Sequence, residues 1–226
     1  MPGVSISFVI PVLDEEGSIG ALLENLASRY PASQRIVVDG ASTDGTVAEA
    51  EYACPRVIKS ATGRSAQMNA GALVATGDYL FFLHCDTLPT ISSQDLQACL
   101  ALAPQWGFFR VRLSGRHWMF RVIERAMNLR SALSRVATGD QMIFLRRELF
   151  EHSGGYAAIP LMEDIEYCKR LRRITRPVVV QQVVETSSRR WEQRGIAGTV
   201  VRMWCLRLAY FLGVPADRLR EYYAAR

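Results

Sequence analysis

The chain has 226 residues, 49% hydrophobic and 22% charged, the balance of an ordinary globular protein large enough for one domain or one domain with an appendage. Five cysteines form an odd set with no C-x-x-C pair, which argues against a disulfide framework and a thiolate zinc site. The net charge of +5 divides into −6 over residues 1–109 and +11 over residues 110–226, so an anionic partner is expected: a nucleotide, a phospholipid surface or a nucleic acid.

The N-terminus passes from MPGVSIS straight into a strand-like run without the basic and apolar regions of a signal peptide, so a cytoplasmic protein is expected. No window of about 18 apolar residues is free of charge, because the most apolar late stretch, 196–214, contains Arg202 and Arg207. Residues 4–13 (VSISFVIPVL) read as a buried strand, and Ile19, Leu22, Leu23 and Leu26 give the next segment the apolar face of a helix. A second buried strand at 35–40 (RIVVDG) leads through the turn-rich GASTDGT to a helix over Val47, Ala50 and Glu51. The spacing then predicts a short strand at 56–60 and a helix over 64–75. Residues 79–89 (YLFFLHCDTLP) are apolar enough for a central parallel strand, delivering His84 and Asp86 at its end. This alternation of strand and helix is the pattern of an α/β fold, a mostly parallel sheet flanked by helices.

Beyond Pro89 the pattern predicts a helix over 92–103, a strand over 107–113 and a long helix over 117–136. Trp118, Val122, Ala126, Leu129, Leu133 and Val136 share one face of that helix, which reads either as a surface helix packed on the core or as an interfacial helix touching lipid.

The loops after parallel strands share one sheet edge, where ligands bind in such folds. The first strand ends in the segment from Pro11 to Glu16, the second in Asp39 and Asp44, and the later one in His84 and Asp86. Acidic strand ends side by side repel unless a cation or a set of hydrogen-bond donors sits among them, and a nucleotide with a divalent metal supplies both. Asp39 can accept hydrogen bonds from ribose hydroxyls or a base N–H. No G-x-G-x-x-G or Walker loop follows the first strand, so phosphate charge falls to a metal or to arginines. Arg64, opening its helix after Gly63, is one candidate. Glu163 and Asp164 in LMEDIEY start a helix, where the dipole favours negative charge and an N-cap role accounts for one of them. In SSRRWEQRG, Arg189, Arg190 and Trp191 form either a cationic patch with an aromatic face or a solvated charge run beside a buried tryptophan.

FVIPVLDEEGSI, IVVDGASTDGT, GRSAQMNAGALVATGDYLFFLHCDT and MEDIEYCKRL, in this order and spacing, resemble the family 2 glycosyltransferases of GT-A fold over roughly residues 4–195. FLHCDT and SSRRWEQRG are also similar to a small bacterial subgroup described as radical-SAM-associated transferases. The resemblance implies a GT-A type Rossmann-like domain over 1–195, with a C-terminal helical appendage over 196–226 packed on it. It implies an inverting, hexosyltransferase-type transfer from a nucleotide-diphosphate sugar to an acceptor hydroxyl with Mg2+ or Mn2+. Asp39 would contact the nucleoside, Pro11 and Glu15 would line its pocket, and Asp86 matches the last acid of the D-x-D metal motif. Asp164 takes the place of the general base, with Glu163, Asp140, Arg189, Arg190 and Trp191 on the acceptor or diphosphate side.

Two departures stand out: His84 replaces the usual first Asp of D-x-D, and Gly40 follows Asp39 where a second Asp is common. They leave the donor base unassigned, and His84 reads as a ribose contact, a metal ligand or a packing residue. The expected partners are the donor and an acceptor that the sequence does not name, with peripheral contact at the inner face of the membrane and no nucleic acid. One alternative is a sugar-nucleotide pyrophosphorylase-like enzyme, although those usually carry a glycine-rich, basic loop where PVLDEEGSIG has no basic residue. The other is a non-catalytic module for anionic lipid or RNA, motivated by the basic second half.

Overall fold

The computed structural model describes residues 3–54 and 56–224. β1 (Ile6–Val12), β2 (Gln34–Asp39), β3 (Val57–Lys59) and β4 (Tyr79–Phe82) lie parallel in the spatial order β3-β2-β1-β4. β5 (Thr87–Pro89), β6 (Trp106–Leu113), β7 (Phe144–Arg146) and β8 (Val178–Thr186) extend the sheet in the order β4-β7-β6-β8-β5. Among the described residues, four of the seven strand pairings are parallel.

The sheet is covered on both faces, which is why its first strands read as unbroken apolar runs. Phe8, Ile10 and Val12 of β1 point into one core layer with Leu22, Leu23 and Leu26 of α1 (Ile19–Arg29). Val9 points into the opposite layer with Met68 of α3 (Arg64–Leu73) and Tyr167 and Leu171 of α7 (Glu163–Ile174). α2 (Thr46–Ala53), α4 (Ser93–Ala101) and α6 (Arg147–Ser153) complete the flanks. The Ser92 side chain caps α4 by accepting the Asp95 N–H at 3.0 Å.

The segment 79–89 is not one strand. β4 ends at Phe82, the Thr87 N–H donates to the His84 carbonyl in a turn, and Thr87–Pro89 then pairs antiparallel with β8. Nor is β4 parallel on both sides, since it pairs parallel with β1 and antiparallel with β7.

The long helix α5 (Trp118–Ser134) forms where expected but turns its apolar stripe outward: Leu129 is 62% and Leu133 76% exposed, while Phe120, Glu124 and Ser131 are buried. The reason lies in β6, which pairs with β7 only at Trp106 and Gly107 and leaves a free edge further on. Buried backbone groups need partners. Asn128 Oδ1 accepts the Val111 N–H at 2.8 Å, its Nδ2 donates to the Val111 carbonyl at 2.9 Å, and a Glu124 carboxylate oxygen accepts the Leu113 N–H. The inner face of α5 is therefore polar. Asn128→Ala, which strips both partners from Val111, is expected to destabilise the fold by about 1–3 kcal/mol in urea unfolding; an unchanged midpoint would remove edge capping as the reason for this packing.

α8 (Arg189–Arg194), α9 (Ile196–Phe211) and α10 (Ala216–Ala224) follow β8. They meet the rest of the chain where Met162 packs with Leu206 and Leu219. No helix among the described residues is long and apolar enough to cross a membrane.

Candidate active site

The acidic loops after β1 and β2 satisfy one another through backbone donors. Asp14 accepts the Thr43 N–H at 2.8 Å, Glu16 accepts the Gly45 N–H at 3.0 Å, and Asp44 accepts the Glu16 N–H at 3.2 Å. Hydrogen bonds from Thr46 hold the Asp44 carboxyl below the usual carboxylate range. Much of the acidity at this edge thus fastens one loop to the next.

Asp39 stands at the end of β2 with 2% exposure, its carboxylate accepting the Ser42 N–H at 2.9 Å and the Ala41 N–H at 3.3 Å. It closes its own turn, in which Ala41 has φ +75°. Asp39→Ala is expected to lower stability by roughly 1 kcal/mol for each turn bond lost, and the sequence expectation of a nucleoside contact adds a loss of nucleotide affinity. Undiminished nucleoside diphosphate affinity by calorimetry would leave Asp39 with the turn alone. The adjacent Gly40 also has a steric reason: a Cβ there would lie 2.9 Å from the carboxamide of Gln67, whose Nε2 donates to the Val12 and Val38 carbonyls. Pro11 is buried in β1 opposite Val38, and the Glu15 N–H donates to Thr46 Oγ1 at 2.7 Å.

Past β4, the turn at 84–86 presents His84, 9% exposed, and Asp86, which is exposed. Asp140, in a 3-10 turn over Gly139–Gln141, brings Oδ1 to 3.6 Å from His84 Nδ1. One ligand atom from each of His84, Asp86 and Asp140 lies within 4.8 Å of the others. The two carboxylates suit Mn2+ or Mg2+, the imidazole nitrogen suits a less hard divalent ion better than Mg2+, and the three ligand atoms are close enough to share one ion. Gly139 makes the approach possible, since a Cβ there would run into the His84 ring.

Asp164 faces this cluster from the start of α7, after Met162 at φ +67°. Its Oδ2 accepts the Gly139 N–H at 2.8 Å and its Oδ1 the N–H of Ile165 at 2.7 Å. Burial, with the charge of Glu163 next to it, pushes its carboxyl up to about 6 despite these bonds and the nearby His84. Glu163 is buried and forms the first residue of the helix rather than its cap.

His84, Asp86, Asp140, Glu163, Asp164 and Arg64 line one cleft, and Trp191 of α8 joins them. The Ser187 N–H donates to the Asp86 carbonyl at 2.9 Å, which ties the SSRRWEQRG segment to the cation cluster. Pro11 in β1, Asp39 at the end of β2, Glu15 in the loop after β1 and Arg189 at the start of α8 lie outside the walls of that cleft. The side chain of Arg190 lies outside the described residues.

Three further residues have no role assigned by the sequence, although Gln67 and Thr138 lie within the segments GRSAQMNAG and TGDQMIFLRR. Arg130 of α5, half-buried in the cleft wall, lies within electrostatic reach of both Asp164 and Asp140. Gln67 shapes the turn after β2. Thr138, 8% exposed on the cleft wall, starts the 3-10 turn that carries Asp140, its N–H donating to Gln141 Oε1 at 3.2 Å. Arg130 and Thr138 come to the cleft only through the packing of α5 and β7.

The family model described as glycosyl transferase family 2 matches residues 7–152. No curated protein matches the chain. Among solved structures, S. aureus TarS 1–349 in complex with UDP is similar at 18% identity and TM-score 0.63, over 81% of this chain and 60% of that one. A mannosyltransferase, PcManGT, from Pyrobaculum calidifontis in complex with GDP-Man and Mn2+ is similar at 21% identity and TM-score 0.62, over 90% and 60%. Glucosyl-3-phosphoglycerate synthase from Mycobacterium tuberculosis, in complex with Mg2+ and UDP, is similar at 18% identity and TM-score 0.57, over 82% and 70%. The chain spans only 36% of the longer S. aureus TarS structure and 60% of the shorter. At these identities the likeness shows the fold.

Proposed function

Because the chain belongs to glycosyl transferase family 2, with residues 7–152 matching the family, we propose that it transfers a sugar from a nucleoside-diphosphate donor to an acceptor hydroxyl with inversion of the anomeric centre. The observation that carries this reading is the placement of Asp164 in the same cleft as His84, Asp86 and Asp140. The acceptor oxygen attacks the anomeric carbon while Asp164 takes its proton, the bond to the diphosphate oxygen breaks, and the nucleoside diphosphate leaves. A single displacement needs no covalent intermediate and inverts configuration. A divalent cation held by His84, Asp86 and Asp140 supplies neutralisation for charge on the departing diphosphate. The nucleotides and cations bound in the similar structures support that choice of donor and metal. Burial pulls the Arg130 guanidinium below its ordinary range, and it lies within electrostatic reach of both Asp164 and Asp140. In this reading residues 1–195 form the catalytic domain and the helices beyond them the appendage that walls the acceptor side.

Thermal denaturation with UDP, GDP, CDP and dTDP, each with and without Mn2+, tests the proposal. At about 100 times Kd a ligand bound only by the native state adds about 2.7 kcal/mol, and at least one nucleotide is expected to raise Tm by several degrees, more with Mn2+. No shift with any of the four, with or without metal, would contradict it.

A further inference from the structure

The apolar stripe that α5 leaves uncovered lines the same cleft as His84, Asp86 and Asp164, together with residues of α9. Val122, Leu129 and Leu133 of α5 and Trp204, Leu208 and Phe211 of α9 all line it and are all more than half exposed. The cleft encloses about 980 Å³. Along α5 the stripe from Val122 to Leu133 runs about 16 Å at 1.5 Å per residue. Such contiguous apolar surface on a single chain marks a binding site more often than it goes unused.

We propose that this cleft binds the apolar chain of an amphiphilic acceptor whose polar head carries the attacking hydroxyl to Asp164. The inference rests on the transferase reading and names its acceptor class. Three observations favour this occupant. The cleft is continuous with the carboxylates, so one molecule reaches both ends. Its lining joins Asp86, Asp140, Glu163 and Asp164 to a run of aliphatic and aromatic side chains from α5 and α9, with Arg202 and Arg207 of α9 among them. Against Val122, Leu129, Leu133, Trp204, Leu208 and Phe211 a sugar or peptide acceptor would find few polar partners besides Arg202 and Arg207, whereas a hydrocarbon chain needs none. The apolar side chains of α5 and α9 line one open cleft rather than a single flat face, which fits a bound chain better than a bilayer surface. In the transfer step the head oxygen forms the new bond to the anomeric carbon, its proton passes to Asp164, and the donor's carbon–oxygen bond breaks to release the nucleoside diphosphate.

The test is calorimetric titration of the whole chain with 1-O-alkyl glycerols of six to ten carbons, below their aggregation concentrations, in wild type and in Leu129→Asp/Leu208→Asp. Affinity is expected to rise roughly three- to fourfold per added methylene, as buried CH2 groups do, and to fall at least tenfold in the double variant. That variant should keep its melting transition and its nucleotide-induced shift. Affinity independent of chain length, or equal in the two proteins, overturns the inference. Binding to phosphatidylcholine–phosphatidylglycerol vesicles that survives the double substitution, without chain-length dependence in solution, overturns it in favour of membrane docking. Release of nucleoside diphosphate by slow hydrolysis, measured without acceptor, separates the two levels. With hydrolysis present and no chain binding, the acceptor inference fails and the transferase reading stands. Chain binding without any nucleotide binding or hydrolysis removes the acceptor role together with that reading.

Discussion

Asp164→Asn is expected to fold, to bind donor and metal as the wild type does, and to lose turnover by roughly 10²–10⁴-fold. The amide keeps the volume of the carboxylate but cannot take a proton. The same substitution tests geometry, because Asp164 also accepts the Gly139 N–H at 2.8 Å. An amide oxygen can still accept that bond, so the 3-10 turn carrying Asp140 should hold its place. The wild-type carboxyl, pushed up to about 6 by burial and by Glu163, is deprotonated and able to act only above that range. The rate should therefore fall as pH drops through it, and this acid limb should vanish in Asp164→Asn. Glu163→Gln removes the neighbouring charge, so it should shift the limb to lower pH while retaining most of the activity. An active Asp164→Asn with an inactive Glu163→Gln would move the base by one position.

Asp86→Ala is expected to abolish the gain that Mn2+ brings to nucleoside diphosphate binding. Loss of a partner that merely supports a metal ligand costs roughly 10–100-fold in metal affinity, and loss of a ligand should exceed that. His84→Ala should lose a comparable amount, since its ring nitrogen lies within 4.8 Å of ligand oxygens from both Asp86 and Asp140. Equal nucleotide affinity with and without metal in the wild type would remove the cation from the account. Full metal dependence in His84→Ala would return the histidine to a packing role.

Which features the sequence reveals depends on whether local pattern or long-range pairing decides them. β1 and α1 are legible because both faces of the strand and one stripe of the helix are buried, so periodicity and burial agree. The end of β4 is harder: Leu83 still donates to Val9, and only pairing of Thr87–Pro89 with β8, about a hundred residues later, turns the chain aside. α5 misleads in a specific way. Its apolar stripe has the period of a packed helix, yet the free edge of β6 demands polar partners, and Asn128 and Glu124 take the inner face. At the site, Asp86 and Asp164 are visible in short motifs. The meeting of His84 with Asp140 is set by the antiparallel pairing of β4 and β7, which no local spacing encodes. Gly40, which departs from the family pattern, has its reason in Gln67, again from another element.

The most direct measurement of the central claim is nucleoside diphosphate released from UDP- and GDP-linked sugars by wild type and Asp164→Asn, each with Mn2+ and with EDTA. The account predicts saturable release by the wild type with at least one donor, dependent on Mn2+ and reduced roughly 10²-fold or more in the variant. Release that persists undiminished in EDTA, or in Asp164→Asn, would contradict it.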